Sequence, residues 1–109
     1  IMVHDLLSFN EIISNYIDVE QVTISGNSSV IVNNNIQLTA SIYPENASNA
    51  TVTWTSSNSN IATISQNGLL SAVSEGIVTI TATSVNVVSG TKTISVTNPQ
   101  TVMYYGYAT

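Results

Sequence analysis

Cysteine is absent from the 109 residues, and only one residue, Lys92, is a lysine or arginine. The first absence excludes disulfides and thiolate metal sites, so stability has to come from packing. The second excludes nucleic acid as a partner, because nucleic-acid backbones are held by clusters of cationic side chains that release counterions. Docking on anionic lipid is excluded by the same argument. Six acids give a formal net charge of −5, yet charged residues are just 6% of the chain, so its surface must be built from uncharged polar groups. No apolar run is long enough to insert into a membrane, and no basic segment precedes a hydrophobic one as in a signal peptide. Because residue 1 is Ile, a processed product or a piece of something longer is expected, a start at Met2 being the plainer alternative.

Ser, Thr and Asn fill the surface instead. They favour turns and pleated strands over helix interiors, so an all-β domain is expected. Only the start of the chain reads differently. Phe9, Ile12, Ile13, Tyr16 and Ile17 recur at three- and four-residue spacings, and Ser8 with Glu11 has the spacing of a capping box. This predicts a short helix over 8–17, stable only if docked.

From Val19 the period becomes two. Inward positions are Val22 and Ile24; Val30 and Val32; Ile36, Leu38, Ala40 and Ile42; Val52 and Trp54; Ala62 and Ile64; Leu70 and Ala72; Val78, Ile80 and Ala82; Ile94 and Val96. Trp54, Leu38, Ile64, Ile80 and Val96 are the expected structural core. Turn signals separate these runs at the spacing of a sandwich: Asn33 to Asn35, which tolerate left-handed backbone, Pro44, Asn67-Gly68, Gly76 and Gly90.

The stretches VTISG at 22–26, IQLTASIYPENAS at 36–48, VTWTSSNSNIATISQNGLLSAVSEGIVTITATS at 52–84 and TISV at 93–96 resemble the bacterial immunoglobulin-like domain, group 2. The resemblance implies an immunoglobulin-like Greek-key β-sandwich of about seven strands. It also implies a setting on bacterial surface adhesins, secreted wall-associated proteins or phage structural proteins, hence an extracellular location on a virion or cell surface. It departs from the family where Asn33 to Asn35 replace a usual glycine, and it covers neither end of the chain. The expected organisation is a leader with a short helix at 1–18, the domain at 19–97, and an aromatic tail at 98–109.

The chain carries few residues suited to chemistry. His4, beside Asp5, is the only histidine, and no nucleophile elbow or oxyanion glycine cluster accompanies it. Glu45 and Glu75 fall at opposite ends of an alternating sandwich and cannot act as a carboxylate pair. Asp18, Glu20 and Glu45 should share one end with Asn67-Gly68 and the loop 85–90. There they form a weak calcium candidate, three solvated acids being the simpler reading. Trp54 invites a sugar-stacking reading, but its alternation places it in the core. No cofactor and no enzymatic activity are expected.

The tail is left unexplained by the family pattern. Met103, Tyr104, Tyr105 and Tyr107 are costly to leave in water, and with Phe9, Ile13 and Tyr16 of the leader they are the expected interface residues. The expected function is a structural or display module of an exposed assembly, a virion protein or a surface fibre, in which leader and tail make subunit contacts and the chain self-associates. The alternative is an adhesin module that binds host glycan or protein through its end loops.

Overall fold

The computed structural model describes residues 16–99. All nine elements among them are strands: β1 (Gln21–Ser25), β2 (Ser29–Ile31), β3 (Asn35–Gln37), β4 (Thr39–Tyr43), β5 (Val52–Ser56), β6 (Ala62–Ile64), β7 (Leu69–Ala72), β8 (Gly76–Ser84) and β9 (Ser89–Thr97). One layer is the four-stranded sheet β2-β9-β8-β5. The other is built from two short ladders, β1-β4 and β3-β7-β6, joined through the run 35–43.

That run is where nine strands arise in place of the expected seven. The alternating Ile36, Leu38, Ala40 and Ile42 read as one strand, but hydrogen bonding changes partner at its middle. Gln37 lies opposite Leu69 of β7, whereas Thr39 lies opposite Ser25 of β1. Leu38 between them donates its N–H to the Gly68 carbonyl at 2.8 Å. The first strand is divided in the same way: β1 pairs antiparallel with β4, and the chain then crosses to the other layer, where β2 pairs parallel with β9. One long strand of each type would leave half of its backbone groups without a neighbour in register, and an unpaired buried peptide group is costly.

The core lies between the two layers, with Val32, Ile36, Ala40, Ile42 and Val52 only partly buried against it. Val78, Ile80 and Ala82 of β8 and Ile94 and Val96 of β9 face inward against Leu38, Leu70 and Trp54, and all of these are buried. Each fully buried Val, Leu or Ile contributes about 1.5–3 kcal/mol. Ile64 is only half-buried against this cluster; it sits on β6, a three-residue edge strand. Tyr16 and Ile17 lie outside any strand or helix, and the rest of the expected helix 8–17 lies outside the described residues.

At two glycines neighbouring backbone comes too close for a side chain. Gly68 has φ 82°, and a Cβ there would stand 2.5 Å from the Leu38 carbonyl and 3.0 Å from the Trp54 ring. The Asn-Gly turn thus has a backbone that L residues rarely adopt and a position that admits no side chain. Gly90 was expected in a turn; instead it is the second residue of β9, and a Cβ on it would collide with the Val22 carbonyl. The turn itself is made earlier, by Val87 at φ 65°, and Asn33 at φ 73° makes the left-handed turn expected among the three asparagines.

Candidate functional site

Register defines two poles. At the N-terminal pole Gln21 stands opposite Tyr43 and Thr83 opposite Ser89, while Ile17 and Ser48 exchange two hydrogen bonds of 2.8 Å. At the C-terminal pole Gly76 stands opposite Val96 and Ile31 opposite Thr97. The described chain therefore enters at one pole and leaves at the other.

The N-terminal pole is braced by polar side chains. Ser84, the only buried polar residue among those described, donates its hydroxyl to the Asn86 Oδ1 at 2.9 Å and accepts from the Val88 N–H at 3.0 Å. Asn86 in turn donates its Nδ2 to the Val19 carbonyl at 2.9 Å. This chain of bonds ties the β8–β9 turn to the strand that brings the chain in. It also leaves Val85 and Val87 facing solvent, the latter 79% exposed. Tyr16 and Tyr43 are exposed at the same pole.

Asp18, Glu20 and Glu45 do share this pole, since the Glu20 N–H donates to the Tyr43 carbonyl. All three are exposed. Among the described residues no three acids or histidines come together in a way that could hold a metal ion. The calcium candidate is thus not assembled: the acids project into water from separate positions on a β-strand lead-in and a proline loop. The Asn67-Gly68 turn, expected at this pole, lies at mid-height instead. The β6–β7 hairpin is short, and its tip reaches only to Leu38, where the Gln37 Nε2 donates to the Asn67 carbonyl at 2.7 Å. Glu75 precedes β8 at the C-terminal pole, away from Glu45.

Above the hairpin tip the outer edges of β4 and β5 stand apart around a cavity of about 230 Å³ lined by Leu38, Ala40, Trp54 and Gln66 among others. Gln66 fills in for a missing neighbour strand. Its Oε1 accepts from the Trp54 N–H at 3.1 Å and its Nε2 donates to the Trp54 carbonyl at 3.0 Å, the bonding pattern of a ladder residue. The Trp54 indole is buried beneath, in the role expected of it. Neither glutamine was anticipated; next to an Asn-Gly turn a glutamine reads as a solvated residue.

A second cavity, of about 260 Å³, opens at the C-terminal pole between β2 and β3. Ile31, Val73 and Ile77 are exposed around this end of the molecule. Of the expected interface residues, Tyr16 is described and exposed. Phe9, Ile13, Met103, Tyr104, Tyr105 and Tyr107 lie outside the described residues, as does His4.

Residues 18–96 match the model of the bacterial Ig-like domain (group 2). Among curated proteins, the chain is 40% identical over 78 residues to a 3-O-alpha-D-galactosyl-alpha-L-arabinofuranosidase of Bifidobacterium longum subsp. longum, a match covering 72% of this chain and 7% of the enzyme. It is 41% identical over 61 residues to a lacto-N-biosidase of Bifidobacterium bifidum, covering 56% of this chain and 5% of that enzyme. An uncharacterized protein of Clostridium acetobutylicum matches at 48% over 62 residues, covering 56% of this chain and 6% of that protein. The fold is similar to intimin: a C-terminal fragment solved with the intimin-binding domain of the translocated intimin receptor superposes with a TM-score of 0.59 at 21% identity, over 71% of this chain and 31% of that one. An intimin mutant of EHEC O157:H7 gives 0.57 at 24% identity, over 71% and 46%.

Proposed function

Because the chain belongs to the bacterial Ig-like domain family, group 2, we propose that it works as a non-catalytic structural or display module of an exposed, extracellular assembly. The observation that carries this reading is the pole-to-pole path of the described chain. A module entered at one end and left at the other can be strung between neighbours without doubling back, and it adds its full strand length to the reach of whatever it carries. The relatives support the reading, since in each the matching stretch is 5–7% of a far larger protein. Of the two settings that suit such a module, a bacterial surface or secreted protein and a phage virion, the Bifidobacterium enzymes favour the first. The uncharged Ser/Thr/Asn surface suits close neighbours, because it adds little repulsion between copies. In this reading leader and tail carry the contacts to adjoining subunits or domains.

The alternative is adhesion to a host protein or glycan through the loops of one pole. The exposed Val85 and Val87 favour it, and the intimin fragment of similar fold was solved in complex with a receptor domain. Binding of the chain to arrayed glycans and to mammalian cells separates the two. A display module gives no binding that depends on the loop 85–88, whereas an adhesin loses its binding when Val85 and Val87 are replaced by Ser.

A further inference from the structure

We propose that the tyrosine-rich segment 100–107 folds back on its own module and seats one aromatic ring in the cleft between β2 and β3 at the C-terminal pole. The cleft has a volume of about 260 Å³ and is lined by Ser29, Ile31, Asn34, Asn35, Ile36 and Thr97 among others. A cavity of roughly 150 Å³ holds benzene, so a phenol ring has room here. The wall suits tyrosine in particular: Ile31 and Ile36 offer apolar contact, while the hydroxyl and amide side chains of Ser29, Asn34 and Asn35 offer partners for a phenol O–H. Ile31 is 45% exposed although its neighbour Val30 is buried, so the cleft has an apolar rim that the described residues leave uncovered.

The chain that follows β9 supplies the occupant. Thr97, opposite Ile31 in the β2–β9 ladder, forms one wall of the cleft. Pro99 follows two residues later and cannot donate to a continuing ladder. Tyr104, Tyr105 and Tyr107 come within eight residues of that proline. A segment of this length spans more than about 15 Å, enough to turn and reach back to the cleft. Tethering so close gives the tail an effective concentration in the millimolar range, above that of another copy at ordinary dilution. A tail anchored in this way fixes the direction in which the chain leaves the module. The inference amends the display reading at one point: the anchoring ring packs on its own module, which leaves the leader and the rest of the tail for contacts with neighbours.

The test uses the full 109-residue chain. Replacing Tyr104, Tyr105 and Tyr107 together by Ser, and separately Ile31→Ser, should each lower Tm by about 4 °C. The combined variant should fall no further than the larger of the two, because both remove the same contact. Additive losses, or an unchanged Tm in the tyrosine variant, overturn the proposal. In the unaltered protein, nuclear Overhauser effects between tyrosine ring protons and the Ile31 methyls should persist on dilution and be absent between labelled and unlabelled copies in a mixed sample. Intermolecular effects would overturn the fold-back and assign the cleft to a neighbour's tail.

Discussion

The waist of this sandwich and its poles are built on opposite terms. At the waist there is no room for a side chain at Gly68, which lies under the Leu38 carbonyl and the Trp54 ring, and Leu38 itself is 1% exposed. At the poles valines, isoleucines and tyrosines stand in water, and one valine is held at positive φ. Packing at the waist holds the fold, while the poles keep apolar groups that the described residues leave uncovered. Stability changes should therefore be large and unfavourable at the waist, and small or favourable at the poles.

The largest effect is expected for Leu38→Ala. It removes a fully buried side chain at the junction of the two short ladders and should cost about 3–5 kcal/mol in chemical denaturation, the upper part of the range for such cavities. Gly90→Ala comes next, one residue inside the N-terminal pole, where β9 passes under β1. Its methyl meets backbone rather than a yielding side chain, so β1 must shift away from β9, at about 1–3 kcal/mol. Gln66→Ala should cost about 1–2 kcal/mol, since it strands the Trp54 N–H and carbonyl at an open sheet edge; a blue- or red-shift of Trp54 fluorescence with no loss of fold reports the same change locally. At the pole the sign reverses. Val87→Asn should raise stability by about 1 kcal/mol, because it relieves a β-branched residue at φ 65° and gives up almost no buried surface. A loss there as large as at Leu38 would break the contrast between waist and poles.

Much of this was legible in the sequence, and the exceptions have physical causes. Period-two alternation and the motif around Trp54 led to the two-layer fold and to Leu38, Ile80 and Val96 in its core, because each inward position is decided by its own neighbours along the strand. Gly90 is ambiguous in the sequence, because a glycine near a strand end marks either a turn or a close approach. Only the long-range path of β1 decides between them. The break of strand pairing at Leu38 was invisible for the same reason: the apolar pattern continues across it, and only its partners change. Asn67-Gly68 announces a turn in the sequence but not its height, since local chemistry does not show where a short hairpin will dock. Gln66 carries no signal at all until the missing neighbour of β5 is known.

The central claim, that the described chain crosses the module from pole to pole, is open to one direct measurement. The chain has no cysteine, so Glu20→Cys and Thr97→Cys, both at exposed positions, can carry a pair of spin labels without background. With nine-residue strands rising about 3.3 Å per residue, electron-spin distance measurement should give one narrow distribution centred at roughly 30 Å. A distance below about 15 Å, the width of a few strands, would place both ends of the module at one pole and contradict the account.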